Sequence, residues 1–184
     1  TATLFSSLYY FNGPEISGSL RNIKLLRKGK EHSEIDYYDY LLTGKQVNDV
    51  KLQRNDVVFI PPRIKSVEVI GNIRRNSIFE LMPNETLKDL IAIAGGLLST
   101  TYTKRIQIDR ILPAKERALI GIDRKLIDLS LDDVLSSKRK VELVDGDIIT
   151  FFEISDSRSD FISINGAVSR PGRYAINGDS RIVD

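Results

Sequence analysis

The sequence predicts an α+β fold built from one repeated unit, which is present once in full and twice in part. Three internal matches indicate the repeat, and each keeps both residue type and spacing. They align Gly71 with Gly166, Asp56 with Asp147, and Thr3 with Thr86. We therefore expect the end of a first copy over residues 1–62, a complete copy over residues 66–153, and the opening hairpin of a third copy over residues 161–184.

The complete copy is expected to open with a hairpin. Apolar and polar residues alternate over residues 67–70, which predicts a strand, and a turn signal at residues 75–77 precedes a return strand over residues 78–81. In the third copy the turn reads Arg170-Pro171-Gly172, where Pro171 presets φ and Gly172 is expected to supply a positive φ.

A helix is predicted after this hairpin. Asn84 is the expected N-cap, since a short polar side chain can accept a hydrogen bond from the first turn. One apolar stripe follows, and Gly95 stands where a helix ends in the left-handed conformation. The stripe has helical spacing and contains Leu87, Leu90, Ile91 and Ala94.

The rest of the complete copy is predicted to be mainly strands. Ile106 and Ile108 mark one strand, residues 119–122 another, and residues 130–135 a short helix. The last strand, residues 148–152, is almost fully apolar, which is typical of a strand buried on both faces. We expect it to lie centrally and to pair in parallel with residues 67–70, with one helix across a mixed sheet.

These residues resemble the soluble-ligand-binding β-grasp (SLBB) domain. The similarity lies in the hairpin, the helix start and the glycines after the helix, and it includes Val67, Val69, Gly71, Ile73, Arg75, Thr86, Leu87, Asp89, Leu90, Ala94, Gly95 and Gly96. The third copy repeats the hairpin motif with Gly166, Pro171, Gly172 and Tyr174. The fold class implied is α+β with tandem β-grasp modules, one complete and two partial.

The resemblance implies a role in exporting polysaccharide across the bacterial outer membrane. SLBB-like repeats occur in capsular and exopolysaccharide export proteins, so it implies a scaffold in the periplasm or outer membrane of a Gram-negative bacterium. The implied partners are other copies of the protein, export-machinery proteins and, through weak contacts, the polysaccharide. A generic β-grasp array for protein–protein interaction, with no sugar role, is the alternative.

Composition excludes several other classes of protein. Lys and Arg number 27 against 25 Asp and Glu, a net charge of +2, which argues against a nucleic-acid binder. The chain has no cysteine, so disulfides, thiol catalysis and cysteine zinc sites are excluded. No apolar run approaches the roughly 20 residues that span a bilayer.

No catalytic or metal site is expected, and no cofactor. His32 is the only histidine, in a polar stretch without a nucleophile beside it. The paired carboxylates lie in turns and at helix starts, where aspartate is expected as a cap, at Asp36 and Asp39, Asp132 and Asp133, and Asp145 and Asp147. We therefore expect a protein that is not an enzyme.

Two sets of residues are candidates for binding. Tyr37, Tyr38 and Tyr40 could stack on sugar faces, since a tyrosine ring combines an apolar body with a polar tip. Arginines at the hairpin tips could pair with acidic sugars through charge-assisted hydrogen bonds, and these are Arg74, Arg75, Arg170 and Arg173.

The two partial copies are complementary in sequence. Residues 57–60 would be an apolar strand without a partner on one edge, and residues 161–176 would be a hairpin with one uncovered apolar face. We expect residues 161–165 to add in parallel beside residues 57–60, within one chain or, more readily, between two.

Overall fold

The computed structural model describes residues 2–176, so the end of the predicted third copy, residues 177–184, lies outside the described residues. The chain divides into two compact units, Thr1–Glu153 and Ile154–Asp184. The fold is mixed α+β, with sheets of three, five and two strands among the described residues.

Residues 2–62, the N-terminal segment, form a small sheet with two helices. The elements are α1 (Leu4–Tyr10), β1 (Ile23–Arg27), β2 (Lys30–Ile35), α2 (Tyr37–Thr43) and β3 (Val57–Phe59). The strand order is β2-β1-β3, and both pairings are antiparallel. The apolar core of this segment contains Leu4, Leu8, Ile23, Leu25 and Ile35.

Residues 66–153, the central segment, form a five-stranded mixed sheet in the order β5-β4-β8-β6-β7. Its elements are β4 (Ser66–Gly71), β5 (Ser77–Glu80), α3 (Leu87–Ile93), β6 (Thr101–Ile111), α4 (Ala114–Ile120), β7 (Arg124–Leu129), α5 (Leu131–Leu135) and β8 (Ile148–Glu153). Strand β8 is central and runs parallel to β4, with Val69 opposite Ile149. The predicted parallel pairing and the predicted central position of the last strand are confirmed.

Helix α3 packs its apolar stripe on this sheet. Leu87, Leu90 and Ala94 have no exposed surface, and Ile91 is nearly as buried. They contact strand residues of the same core, among them Val69 and Ile149. The predicted stripe is thus the buried face of the helix, and Gly95 follows directly after its C-cap Ala94, as expected.

Two local predictions in the central segment are wrong. The strand predicted over residues 119–122 is not formed. Residues 114–120 are a helix instead, because Pro113 precedes it at the N-cap position, helix-forming residues follow, and left-handed Gly121 ends it. Asn84 does not cap α3. The cap is Thr86, whose backbone N–H and hydroxyl both donate to Asp89 in a capping box.

The C-terminal hairpin, residues 161–176, consists of β9 (Phe161–Ile164) and β10 (Gly172–Ala175). Its strands pair as β4 and β5 do, since Ile162 lies opposite Tyr174 and Val67 opposite Phe79. Gly172 does not have the predicted positive φ, because it already belongs to the extended strand β10. The left-handed residue of this hairpin is Gly166, with φ +103°.

The N-terminal and central segments repeat the same contacts. Thr3 caps α1 as Thr86 caps α3, each in a capping box. In the sheets, Leu25 pairs with Val58 as Ile108 pairs with Ile149. The Arg27–Asp56 ion pair links β1 to the turn before β3 as Arg110–Asp147 links β6 to the turn before β8.

Candidate functional site

An aromatic groove lies between the two helices of the N-terminal segment. It has a volume of about 540 Å³ and is lined by Phe5, Leu8, Tyr9, Asn12, Gly13, Pro14, Leu20, Tyr37 and Tyr40. None of these side chains carries a charge. The groove brings together two of the three candidate tyrosines, Tyr37 and Tyr40.

Local sequence positions both helices that form the groove. Helix α1 begins at a capping box in which the backbone N–H of Thr3 donates to Ser6 Oγ at 2.7 Å. Helix α2 begins at Asp36, which accepts a hydrogen bond from the backbone N–H of Tyr38, and ends at left-handed Gly44. These caps place Phe5 on α1 opposite Tyr37 and Tyr40 on α2.

The rings of the groove pack closely on one another. Phe5 and Tyr37 are stacked with centroids 5.1 Å apart and an interplanar angle of 12°. Tyr40 meets the edge of Phe5 at 4.6 Å. Tyr37 and Tyr40 are both half-buried. The result is a preformed apolar surface with hydroxyls on its tyrosines, which suits the face of a neutral sugar ring.

Tyr38 does not belong to this groove, although it was predicted with its neighbours. It is only 7% exposed and packs in the core of the central segment. Its hydroxyl accepts a hydrogen bond from the backbone N–H of Glu80 at 3.0 Å, and burial raises its pKa. The prediction that Tyr38 contacts sugar is wrong, because one face of the ring is covered by Arg21 and the hydroxyl is occupied.

The hairpin arginines are exposed, and Arg74 and Arg75 are not among the residues that line the groove. Arg74 donates from Nε to the carbonyl of Leu97 at 3.3 Å, and Arg75 lies against Gly95. In the C-terminal hairpin, the carbonyl of Arg170 accepts a hydrogen bond from the Tyr174 hydroxyl at 2.7 Å. Arg173 lies over the Phe161 ring at 5.1 Å.

A buried polar network, which the sequence did not reveal, joins the N-terminal segment to the central one. Arg21 donates from Nε and Nη2 to Asp36 at 3.0 and 2.8 Å, and from Nη1 to Glu85. Burial alone would lower the pKa of Arg21, but the hydrogen bonds to Asp36 and Glu85 raise it. Glu80 accepts from Ser19 Oγ at 2.6 Å. We call these residues, with Leu20 and Tyr38, the junction.

Residues 66–123 match the family model of the SLBB domain. The chain therefore contains an SLBB domain. This domain is typical of polysaccharide export proteins. No curated protein matches the chain.

The central segment carries no catalytic constellation in the described residues. Its paired carboxylates have structural partners: Asp147 binds Arg110, Asp132 binds Lys104, and Asp145 accepts from the backbone N–H of Ser66. Between residues 2 and 176, no group of three His, Cys, Asp or Glu could hold a metal ion. No catalytic family is found.

Two ion pairs that stabilise the central and N-terminal segments, Arg110–Asp147 and Arg27–Asp56, were also not predicted. The Arg27 side chain donates to Asp56 at 2.9 and 2.8 Å, and this lowers the pKa of Asp56 to about 2. The signal was present, because the internal alignment pairs Arg27 with Arg110 and Asp56 with Asp147. No sequence pattern marked Phe5 as a groove residue, because its place in the groove depends on the packing of α2 against α1.

Within residues 2–176, no helix is both long and apolar enough to cross a membrane. The SLBB domain instead suggests an envelope-associated export protein.

Proposed function

We propose that this chain is a non-catalytic part of a capsular or exopolysaccharide export protein, acting as a scaffold at the periplasmic side or in the outer membrane of a Gram-negative bacterium. The SLBB domain at residues 66–123 is the observation that carries the proposal. Its partners would be further copies of the protein, other export components and the polysaccharide.

The scaffold is proposed to consist of tandem modules, one complete and two partial. Three correspondences support this reading. The capping boxes at Thr3 and Thr86, the ion pairs of Asp56 and Asp147, and the identical hairpin registers recur at aligned positions. Unrelated folds would not share cap, ion pair and strand register at once.

The polysaccharide contact is proposed to lie in the aromatic groove. Its uncharged lining favours a neutral sugar ring, which can stack on Tyr37 and Tyr40. The hairpin arginines Arg74, Arg75, Arg170 and Arg173 would add contacts to acidic sugars, and such contacts weaken with salt.

Binding measurements on the full chain test this contact. We expect Tyr40→Ala to weaken binding to a neutral polysaccharide such as dextran by about tenfold, the loss of roughly 1.4 kcal/mol. Tyr10→Ala is the matched control, because Tyr10 is exposed on α1 but does not line the groove. Equal losses from both substitutions would remove the groove from the proposal.

A genetic experiment tests the export role. Deleting the coding region for residues 1–184 in the source bacterium should abolish surface polysaccharide while its synthesis continues inside the cell. Normal amounts of surface polysaccharide after the deletion would contradict the proposal.

A protein-interaction array without a sugar role is the second candidate. One observation favours it: an apolar hollow of about 210 Å³ between α2 and β5, which includes the exposed side chains of Leu41, Leu42 and Ile78. If Ile78→Lys abolished export while Tyr40→Ala left it intact, this second function would be the better account.

A further inference from the structure

Residues 136–142, the basic loop, lie between α5 and β8 and carry three consecutive cations, Lys138, Arg139 and Lys140. All three side chains are exposed. Within residues 2–176 none of them forms an ion pair, and the neighbouring Asp132 binds Lys104 instead. Three uncompensated charges on adjacent residues attract anions, so this loop is a candidate site for an anionic ligand.

The backbone of the basic loop is held in place at both ends. Near its start, the backbone N–H groups of Ser137 and Arg139 donate to carbonyls of α5. At its end, the carbonyl of Val141 accepts from the first residue of α3, and that of Glu142 accepts from Arg110 Nη2 at 2.9 Å. A loop that is already ordered loses less conformational entropy when it binds a ligand.

Two cavities adjoin the basic loop, with volumes of about 410 and 310 Å³, and both are lined by Arg139 and Lys140. Lys88 adds a cation to the smaller cavity. Arg110 lines the larger one, but its charge is balanced by Asp147. Both volumes fall at the lower end of the range for small-molecule pockets, roughly 300–1,000 Å³, so each cavity suits a compact ligand or a single unit of a polymer.

Positive charge is not balanced inside these cavities. Glu142 is the one acidic residue that lines the larger cavity, and the described residues that line the smaller one include none. The ammonium group of Lys88 donates to the hydroxyl of Ser137 at 2.7 Å, and this neutral partner leaves its charge uncompensated. At the start of α3, the carboxylate of Asp89 is occupied by the backbone N–H and the hydroxyl of Thr86.

The larger cavity combines this charge with apolar side chains. Ile108, Ile127 and Leu129 line it, and they lie on one face of the paired strands β6 and β7. A mostly apolar lining with a few charged groups is typical of sites that bind small organic ligands rather than bare ions. A uronic acid has the matching chemistry, since its ring presents an apolar face of C–H groups beside a carboxylate.

The corresponding place in the N-terminal segment has a different charge. In both segments the first residue of the helix donates a backbone hydrogen bond to the loop, and the acceptor is Val50 in one and Val141 in the other. Asp49 therefore corresponds to Lys140, which is a reversal of charge. The counterpart of Lys88 is an aromatic residue of the groove. The fold thus does not require cations at this place, and their presence in the central segment favours a role in binding.

We propose that the two cavities beside the basic loop bind acidic sugar residues of a polysaccharide, whose carboxylates pair with Arg139, Lys140 and Lys88. The guanidinium group of Arg139 can bind a carboxylate through two parallel N–H···O bonds. The inference rests on the proposed function in one respect, the choice of a polysaccharide as the bound polymer. It adds a site for acidic sugars besides the hairpin arginines.

Binding of the full chain to alginate, a polymer of uronic acids, tests the site. Arg139→Gln and Lys140→Gln should each weaken this binding by about tenfold, because each removes a charge-assisted contact. The matched control is Lys115→Gln, which removes an exposed cation of α4 that lines neither cavity. It should change the affinity by less than about twofold.

Equal losses from Lys140→Gln and Lys115→Gln would show a diffuse attraction between alginate and cationic side chains, and would overturn the proposal. All three substituted side chains are exposed, so each variant should keep the circular dichroism of the parent chain.

Two further polymers decide which chemistry the site recognises. Dextran carries no charge, so Arg139→Gln should leave its binding unchanged. Polyglutamate carries carboxylates without sugar rings, and it should bind at least about tenfold more weakly than alginate at equal carboxylate concentration. If polyglutamate bound as tightly as alginate and were equally sensitive to Arg139→Gln, the basic loop would be a site for an acidic protein and the proposal would be overturned.

The outcomes also separate this site from the proposed function. Alginate binding that is lost in Arg139→Gln, together with no binding of dextran, would support the basic loop and remove the aromatic groove. Loss of export in the deletion strain, together with alginate binding that is unaffected by Arg139→Gln, would support the proposed function and overturn this inference. A full chain that does not bind alginate at low ionic strength, where screening is weakest, would overturn it as well.

Discussion

The N-terminal and central segments share the same arrangement of helix, strand pair and ion pair, but they differ in the side chains that they expose to solvent. Both have a capped helix, an antiparallel strand pair and one arginine–aspartate ion pair at aligned positions. In the groove between the helices, Phe5 and Tyr40 stand where the central segment has Lys88 and Val134.

This difference separates the residues that build the fold from those that are free to vary. The caps recur because they satisfy polar groups at the start of a helix, and the ion pairs recur because each ties a strand to the turn before the next strand. The aromatic rings do not recur, so the fold does not require them. Their presence in one segment alone favours a role in binding.

The largest expected effect comes from the matched helix leucines. Leu87 and Leu4 are both fully buried at the first position of their helices. Leu87→Ala should cost about 2–5 kcal/mol of unfolding free energy in chemical denaturation. Leu4→Ala should fall near the lower end of that range, because its smaller core leaves neighbours freer to close the cavity. A loss below about 0.5 kcal/mol for Leu87→Ala would show that the helix face is misassigned.

A smaller effect is expected from the paired aspartates. Asp147 is fully buried and accepts from Arg110 at 2.9 and 2.7 Å and from the backbone N–H of Val144. Asp147→Asn keeps the shape but removes the charge, which should cost about 1–3 kcal/mol. Hydrogen exchange should quicken in β6 and β8 only. Asp56→Asn should quicken hydrogen exchange in β1 and β3 in the same way. If both variants quickened exchange in the same strands, the two ion pairs would not have equivalent roles in the two segments.

The smallest expected effect is a dependence of stability on pH in the N-terminal segment. The Arg27 hydrogen bonds hold the pKa of Asp56 at about 2, whereas an unfolded aspartate titrates near 3.9. The folded state therefore binds fewer protons, so this stabilisation is complete above about pH 4 and is lost as the pH falls through about 2.

Thermal unfolding of the parent chain and of Asp56→Asn at a series of pH values measures this contribution. The difference in melting temperature between the two should shrink as the pH falls from about 4 to about 2. Other acid-sensitive groups affect both chains equally and cancel. A difference that stays constant over this range would show that Asp56 does not act through its charge.

Local sequence patterns were sufficient to predict the main helix and the central strands of the central segment. The helical spacing of Leu87, Leu90 and Ile91 predicted the buried face of the helix. The apolar run of β8 predicted a strand buried on both faces, and from it the central position and the parallel pairing of this strand. The strand predicted over residues 119–122 was wrong because Leu119, 84% exposed, is an apolar residue that lies on the surface of a helix. No periodicity distinguishes such a residue from one in a strand.

The candidate site was predicted only in part, for a physical reason. Tyr37 and Tyr40 face the groove because α2 packs on α1, and Tyr38 faces the other way because Glu80 and Arg21 receive it. These partners are far from Tyr38 in sequence. Three tyrosines within one helical turn carry no local signal that tells them apart.

The junction gives the N-terminal and central segments a fixed mutual angle. Two carboxylates, Glu80 and Glu85, are bonded across it to Ser19, Leu20 and Arg21, so bending there would break several short hydrogen bonds together. The two segments are therefore held as one rigid unit rather than as two flexibly linked domains. A change of one of these few residues would therefore alter the angle between the two segments, and with it the relative placement of the aromatic groove and the central sheet.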